Sequence, residues 1–363
     1  MTRPLRKILV TGASGLIGSE AVAHFDGRGA EVVGLDNNMR ADFFGEKGDT
    51  RWNLERLNES TSRFRNFAVD IRDRGAVLAF LDEHRPDAII HCAAQPSHDL
   101  AARRPFDDFD VNACGTLNLL EAARRFATDS PFVFMSTNKV YGDAPNRIPL
   151  VELRSRYDFA RPEDQAGIDE TLSIDQCLHS LFGASKAAAD LLVQEYGKYF
   201  GMPTVCFRGG CLTGPNHSGV ELHGFLNHLV NVAAQDGTYK IFGYGGKQVR
   251  DQIHSCDVVR AMELYIENPR PGEVYNLGGG RDSNASILEC LEMISLRLGR
   301  PVKSQYIDEP RRGDHVCYIS NMAKFKSHYP RWRLTRHVED ILDEMLEQKL
   351  RSRESQAAVL STT

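Results

Sequence analysis

Cysteines are few in this sequence, and no two of them have the spacing of a metal site or of a disulfide framework. The 363 residues include eight widely spaced cysteines, with no C-x-x-C pair and no histidine and cysteine pair at metal-site spacing. Structural zinc sites and disulfide frameworks both depend on such spacings. We therefore expect no metal site and no disulfide framework, and a reduced, cytoplasmic setting.

Long apolar runs and a strong charge of one sign are also missing. No run reaches the roughly 18 apolar residues of a membrane span, and the apolar part of MTRPLRKILVTG is too short for a secretory signal. The net charge of -5 gives no general attraction for polyanions. We expect neither a nucleic-acid partner nor a membrane partner, so local groups must hold any anionic ligand.

Short β-branched runs, by contrast, alternate with segments of helical length. The runs are KILVTG, EVVGLD, FRNFAVD, DAIIHCAA, PFVFMST and PTVCFRG, and residues 18–28, 74–84 and 116–126 read as helices between them. Such alternation is typical of repeated βαβ units. It predicts an α/β protein with a Rossmann-type, doubly wound parallel sheet.

The rhythm changes near residue 209, where glycine-rich turns such as GGCLTGPNHSG and FGYGGKQVRD begin. We predict a cofactor-binding sheet domain over residues 1–208, to which 245–262 returns. Residues 209–345 form mainly a smaller substrate-binding region. Residues 346–363, which are polar, are predicted to be a flexible tail.

A glycine turn follows the first predicted strand. In KILVTGASGLIGSEAVAHF, Gly12, Gly15 and Gly18 open a helix, where glycine permits a tight turn and close approach of a diphosphate to the helix N-terminus. Asp36 ends the next strand, where a carboxylate accepts hydrogen bonds from a ribose diol and repels a 2'-phosphate. The pattern predicts NAD in preference to NADP.

Further cofactor contacts are predicted in the same turn and at the ends of later strands. Asp70 and Ile71 follow the third strand, and small residues follow the fourth. The full set of predicted cofactor residues is Gly12, Ser14, Gly15, Leu16, Ile17, Gly18, Asp36, Asn37, Asn38, Asp70, Ile71, Ala93, Ala94, Gln95, Asn112 and Lys186.

These motifs resemble a known family, the extended short-chain dehydrogenases that act on nucleotide sugars. TGASGLIG, HCAAQ, NACGTLNLLEA, STNKVYGD, HSLFGASKAAAD, GKQVRDQIHSCDV, YNLGGG and RRGDHVCYIS occur in that family's order. The resemblance spans about residues 7 to 345. Within the family, STNKVYGD and HSLFGASKAAAD are most similar to the CDP-sugar 2-epimerases.

The resemblance implies roles for individual residues. Thr137 would bond the sugar oxygen that is oxidised, and Lys186 would hold the nicotinamide ribose and favour ionisation of a phenol at position 182. Arg250 and either Arg311 or Arg312 would clamp a diphosphate. The implied substrate is a nucleotide-diphosphate sugar bound by Thr137, Asn138, Lys139, Cys211, Arg250 and Arg311.

The resemblance also separates the family's reactions. Its sugar 4,6-dehydratases have an Asp-Glu pair after the threonine, whereas this chain has Asn138 and Lys139. Elimination is therefore disfavoured. What remains is transient oxidation of a carbinol and re-reduction of the ketone, which is epimerisation.

Position 182 departs from the family's pattern, because Phe182 stands four residues before Lys186 where the family has tyrosine. Three hypotheses follow: an epimerase with another base, a catalytically impaired form that Phe182→Tyr would accelerate, or a non-catalytic protein that binds NAD and a sugar nucleotide. Another nucleotide-sugar oxidoreductase or dehydratase stays open as well. The candidate substitute bases are His98, His179, Lys139 and Cys211.

Two structural expectations complete the interpretation. Residues 146–176 form a long, charged segment, which favours a loop that covers the substrate. The resemblance implies a homodimer, formed through the helices after Cys114 and Ser185.

Overall fold

The computed structural model describes residues 6–219, 224–311 and 313–361, with side chains through Arg351. The described residues form fifteen strands and thirteen α-helices. The strands are β1 Lys7–Thr11, β2 Glu31–Leu35, β3 Phe64–Phe67, β4 Ala88–His91, β5 Phe132–Thr137, β6 Leu150–Glu152, β7 Tyr157–Phe159, β8 Thr204–Gly209, β9 Cys211–Thr213, β10 Tyr239–Phe242, β11 Val249–His254, β12 Glu273–Leu277, β13 Asn284–Ser286, β14 Ser304–Ile307 and β15 Cys317–Tyr318.

The helices alternate with these strands, as the sequence predicts. They are α1 Leu16–Gly27, α2 Met39–Phe44, α3 Arg51–Ser60, α4 Arg74–His84, α5 His98–Arg103, α6 Pro105–Phe109, α7 Gly115–Phe126, α8 Ser180–Phe200, α9 Phe225–Ala234, α10 Ser255–Glu267, α11 Ile287–Leu298, α12 Ala323–His328 and α13 Val338–Ser361. A π-helical turn, Asp110–Cys114, joins α6 to α7. Short 3-10 turns cover Gly45–Gly48, Asn138–Tyr141, Ala144–Arg147, Pro162–Asp164, Tyr244–Gly246 and Gly280–Asp282.

A seven-stranded parallel sheet forms the centre of the molecule, in the order β12-β8-β5-β4-β1-β2-β3. Its register aligns Val10, Ile90, Val133 and Val205 in one buried row. Because successive strand residues point to opposite faces, Ile8 and Val10 enter one core while Leu9 enters the other. The predicted doubly wound α/β fold is confirmed.

The smaller region is built on a second sheet, in which β11 pairs with β13, β15 and β9. The sequence predicts that 245–262 returns to the cofactor-binding domain, but strand β11 lies outside the seven-stranded sheet of that domain. The return consists of α10, which packs on α1, and of β12, which becomes an edge strand. The reason is that the polar side chains of VRDQIH find partners outside the apolar central sheet, where Asp251, for example, accepts from the N–H groups of Gly280 and Ser320.

Two other segments differ from their predictions. Helix α13 continues through the predicted tail, and Leu346 is buried with Ile341 and Met345 in the core of the smaller region. Within 146–176, β6 and β7 form a hairpin and Ile168 bridges Ser320, so this segment packs beside the second sheet. None of its residues lines the cavity described below, so the predicted covering loop is wrong.

All eight cysteines are free thiols. Within the part of the chain that the structure describes, no helix combines the length and apolar character needed to cross a membrane.

Candidate active site

One cavity of about 430 Å³ lies at the carboxyl ends of the strands of the large sheet and extends to β9 and β11 of the smaller region. Ligands of open α/β sheets bind at this edge. Most of the predicted site residues line it: Gly12, Gly15, Leu16, Ile17, Gly18, Asp36, Asn37, Asp70, Ile71, Ala93, Ala94, Thr137, Asn138, Lys139, Phe182, Lys186, Cys211, Arg250 and Arg311.

The glycine turn has the shape that a dinucleotide requires. Gly12 has φ of 67°, and a Cβ there would lie 2.8 Å from the backbone nitrogen of Ala93. A Cβ at Gly18 would lie 2.0 Å from the carbonyl oxygen of Gly12. Gly15 precedes α1, and no side chain caps that helix end. The unpaired N–H groups of the first turn therefore face the cavity with the positive end of the helix dipole, which suits a diphosphate.

Asp36 is fixed at the mouth of this turn. One carboxylate oxygen accepts from the Ser14 N–H at 2.9 Å and the Ser14 hydroxyl at 2.5 Å, and the other accepts from the Asn38 N–H at 2.8 Å. An ionised carboxylate has about four acceptor positions, and three are used here, so about one remains for a hydroxyl of a ribose diol. The donors hold the side chain in place before any ligand binds.

Four predicted cofactor residues do not line the cavity: Ser14, Asn38, Gln95 and Asn112. Ser14 and Asn38 support Asp36 from behind. Gln95 and Asn112 donate to the buried Asp108 at 2.7 and 3.1 Å, because buried amides must find partners within the protein. Asn112 also donates to Ser185 on α8 at 3.1 Å, so this network positions the helix that carries Phe182 and Lys186.

Phe182 and Lys186 lie one turn apart on α8 and both face the cavity. The Phe182 ring is only 7% exposed and meets the His98 ring edge to face at 5.0 Å. Lys186 donates to the Met135 carbonyl at 2.8 Å and lies 4.0 Å from the Phe134 ring centroid. Burial lowers the pKa of Lys186 to about 8, despite the opposing charge of Asp190.

The end of β5 presents Thr137, Asn138 and Lys139 to the same space. The Thr137 hydroxyl accepts from the Lys139 N–H at 3.2 Å, which fixes the turn that follows the strand. The Lys139 ammonium donates to the Gly313 carbonyl at 2.8 Å and lies 3.9 Å from Asp314. Thr137 therefore lies on the cavity wall two residues before Lys139, which belongs to the cationic end of the cavity.

That cationic end contains Arg250 and Arg311. Arg250 on β11 is buried and lies 3.2 Å from Asp314, while the Arg311 guanidinium stacks over the Phe242 ring at 4.4 Å. Burial opposes ionisation of Asp314, but the charges of Arg250 and Lys139 outweigh it and lower the pKa of Asp314. Arg312, the other predicted phosphate residue, lies outside the described residues.

The four candidate bases have different surroundings. His179 does not line the cavity, and its ring nitrogens lie 2.8 Å from the Val140 carbonyl and 3.1 Å from the Cys177 carbonyl. His98, Lys139 and Cys211 do line it. Burial raises the pKa of Cys211 to about 12, and burial with the Lys139 charge lowers the pKa of His98 to about 3.

The cavity wall also contains residues that sequence reasoning missed. Asp314 is the most consequential, because it pairs with both Lys139 and Arg250. Asp314 is the aspartate of the RRGD motif, whose arginines the sequence analysis assigns to the diphosphate. Its place in that motif is the feature of the sequence that could have indicated it. The sequence offers no feature that indicates the other missed residues of the cavity wall, apart from their proximity to a motif. They are Arg40, Thr50, Ser136, Asn216, His217 and Asn227.

The parallel sheet, the glycine turn and the carboxylate at the end of β2 define an NAD-binding α/β protein of the Rossmann type. The profile of the NAD dependent epimerase/dehydratase family matches residues 8–278. The chain therefore belongs to that family, whose members are NAD-dependent. The predicted family resemblance and the predicted cofactor are both confirmed.

Individual relatives include both reaction types of the family. The chain is 32% identical over 325 residues to a CDP-paratose 2-epimerase of Salmonella typhi, covering 88% of this chain and 92% of the relative. It is 30% identical over 291 residues to a dTDP-glucose 4,6-dehydratase of Escherichia coli, covering 75% and 72%. The UDP-glucose 4-epimerase of Thermus thermophilus, solved with NAD, matches with a TM-score of 0.76 and 27% identity, covering 94% of this chain and 98% of that one.

Proposed function

We propose that this protein epimerises a nucleotide-diphosphate sugar, and that its substrate is a CDP-sugar inverted at C2. The observation that carries the proposal is the continuity of one cavity from the glycine turn to Arg250 and Arg311. Such a cavity holds a dinucleotide at one end and a second diphosphate at the other. The similarity to a CDP-paratose 2-epimerase over 88% of the chain supports the choice of nucleotide and carbon.

Each end of the cavity then has its own task. Bound NAD supplies a reversible two-electron oxidation of a secondary alcohol. Lys186 and the α1 N-terminus hold the cofactor end, while the planar guanidinium groups of Arg250 and Arg311 hold the substrate diphosphate. The Thr137 hydroxyl, between the two ends, hydrogen-bonds the reacting oxygen. Phe182 provides an apolar wall and no proton.

The surroundings of Thr137 favour epimerisation over elimination. Expulsion of water from a sugar needs an acid and a base beside the reacting carbons. The residues that follow Thr137 are an amide, Asn138, and a lysine that is bonded to Gly313 and Asp314. No carboxylate stands at the two positions after Thr137, where the family's dehydratases have an acidic pair.

A non-catalytic protein that binds NAD and a sugar nucleotide is the second candidate function. The observation that favours it is the buried Phe182 ring, which fills the place of the family's tyrosine. A sensor needs the cavity, but it does not need Thr137 on the β5 end or a buried Lys186 with a lowered pKa. These two features favour chemistry.

The direct test is the near-ultraviolet absorbance of purified, NAD-loaded protein mixed with CDP-, UDP-, GDP- and dTDP-sugars. We expect the reduced-nicotinamide band to rise with one nucleotide class, CDP, and product analysis to show the C2 epimer. A rise with another class would replace the substrate. No rise with any sugar, although sugar nucleotide binds, would favour the second candidate function.

We also propose a homodimer formed through α7 and α8. Leu181, Ala184, Ala188 and Leu191 form a stripe on α8 at helical spacing, and their side chains are exposed or half-buried. Phe106 and Phe109 on the adjacent α6 are exposed as well. An exposed apolar patch of this kind is typical of an interface.

A charge in this stripe is expected to separate the subunits. Leu191, which is 47% exposed, becomes buried in the proposed dimer, so Leu191→Glu should halve the mass measured by light scattering at micromolar concentration. Leu296→Glu is the matched control, because Leu296 is 76% exposed on α11, away from the stripe. A wild-type monomer, or a dimer in both variants, would contradict the proposed interface.

A further inference from the structure

The proposed epimerisation requires a group that takes the proton of the sugar hydroxyl and later returns it. Phe182 has no such group. Its ring is fixed against His98, whose Nδ1 pairs with the Ser180 hydroxyl at 2.8 Å. The proton must therefore pass through another side chain of the cavity wall.

Three of the alternatives are poorly suited. His179 lies outside the cavity wall and serves backbone carbonyls. The Cys211 thiol, with a pKa of about 12, stays protonated at neutral pH. His98, with a pKa of about 3, is too weak a base to take up a proton at neutral pH. An efficient general base has a pKa near the working pH.

Lys139 lines the same cavity and lies two residues after Thr137, at the end of β5. Its carbonyl oxygen packs against Gly183, where a Cβ would lie only 2.8 Å away, so its backbone touches the residue next to Phe182. Its ammonium donates one N–H to the Gly313 carbonyl and lies 3.9 Å from Asp314, which also pairs with Arg250 on the cavity wall. Lys186, the other buried lysine, is committed to Met135 on the cofactor side.

We propose that Lys139 carries the proton of the reacting hydroxyl, in place of the tyrosine that the family has at position 182. This inference rests on the proposed function. In the oxidation, the O–H bond of the sugar breaks and an N–H bond forms on the neutral Lys139 amine, which becomes an ammonium. In the reduction, the ammonium returns that proton to the sugar oxygen. The hydride would pass from carbon to bound NAD in the oxidation and would return to the opposite face of the ketone in the reduction.

The electrostatic surroundings suit both forms of the amine. Burial lowers the pKa of Lys139 to about 8 against the opposing charge of Asp314, and the Arg250 charge contributes to this lowering. Asp314 is thus a positioning residue that stabilises the ammonium once it forms. The titratable groups that face Lys139 are Asp314, Arg250, Cys211, His98 and His315.

The test measures the rate at which the reduced-nicotinamide band appears in a single turnover. The substrate is the sugar nucleotide that gives this band among the CDP-, UDP-, GDP- and dTDP-sugars tested above. We expect Lys139→Met to lower this rate by roughly 10²- to 10⁴-fold, the usual loss for a general base. Lys139→Arg keeps the charge beside Asp314 but cannot give up a proton, so it should lose as much while its melting temperature stays near that of the wild type. Bound NAD should be unchanged in both variants.

Tyrosine at position 182 provides the rescue. Phe182→Tyr in the Lys139→Met background should recover at least tenfold of the lost rate, whereas Phe182→Tyr alone should change the wild-type rate much less. Lys186→Met is the matched buried-lysine control, and it should lose bound NAD, which Lys139→Met does not.

The pH profile distinguishes a proton carrier from a structural lysine. Only the neutral amine accepts a proton, so the wild-type rate should rise with pH and level off above about 8, and this step should vanish in Lys139→Met. A Lys139→Met rate within threefold of wild type, or an unchanged step, would overturn the assignment. No reduced band in the wild type and in Phe182→Tyr would overturn the proposed function together with it.

Discussion

Replacing Arg250 with methionine is expected to weaken binding of the sugar nucleotide by roughly 30- to 3,000-fold, equivalent to about 2–5 kcal/mol for removing one partner of a buried charge pair. Arg250 is buried and pairs with Asp314 at 3.2 Å. Without the guanidinium, the substrate diphosphate loses a donor and faces a carboxylate that lacks its main partner. Isothermal titration of NAD-loaded protein with the sugar nucleotide measures the change.

Two variants separate these contributions. Arg250→Met/Asp314→Asn removes both charges, so it should bind about tenfold more tightly than Arg250→Met because the repulsion is gone. Arg281→Met is the matched control. It also breaks an arginine pair, the half-buried one with Asp158 at 2.7 Å, which lies outside the cavity wall, and it should leave the affinity unchanged. Equal affinities of Arg250→Met and wild type would place the diphosphate elsewhere.

The parts of the fold that the sequence predicted are those that local rules determine. Short runs containing β-branched residues indicated the six strands from β1 to β5 and β8, and the range predicted for α4 agrees with the structure at both ends. Gly12 and Gly18 were predicted for the same reason, since both belong to one strand, turn and helix. Gly12 has φ of 67° in the turn, and a Cβ at Gly18 would meet the Gly12 carbonyl. Residues at the ends of parallel strands then meet at one edge, which places Asp36 and Thr137 on one cavity.

The parts that could not be predicted depend on contacts between distant segments. Asp314 meets Arg250 only because β11 pairs with β15, and the Lys139 ammonium reaches a carbonyl 174 residues away. No local pattern encodes either contact. The amides of Gln95 and Asn112 were predicted to bind the cofactor because they follow family motifs, yet burial turns them towards Asp108.

Contacts with distant segments also determine the structure of residues 146–176, and here they make the prediction wrong. Length and charge indicated a covering loop, but Arg156 pairs with Glu289 at 3.3 Å and Lys247 pairs with Glu152 at 2.7 Å. These charged side chains hold a hairpin on the second sheet. A charged segment is compatible with a solvent-exposed lid and with a docked hairpin, and only the positions of the partner charges distinguish them.

The second large effect is expected from Gly18→Ala, which should weaken NAD binding by about 5- to 150-fold, the equivalent of about 1–3 kcal/mol for overpacking a closely packed site. The added Cβ would lie 2.0 Å from the Gly12 carbonyl oxygen and 2.7 Å from the carbonyl carbon. Backbone atoms cannot rotate away as a side chain can. The turn must therefore move, and with it the N–H groups that face the cofactor diphosphate.

Gly27→Ala is the matched control for this prediction, because it makes the same substitution in the same helix, α1. A Cβ at Gly27 meets nothing within 4 Å, and alanine favours helix by up to about 1 kcal/mol, so this variant should bind NAD normally and unfold at an equal or higher temperature. Cofactor content after gel filtration and titration of the cofactor-free protein give the two affinities. If Gly18→Ala retained NAD as Gly27→Ala does, the diphosphate could not lie on this turn. If Gly18→Ala lost NAD but melted near the wild-type temperature of the cofactor-free protein, the loss would arise from the geometry of the turn and not from unfolding of the sheet.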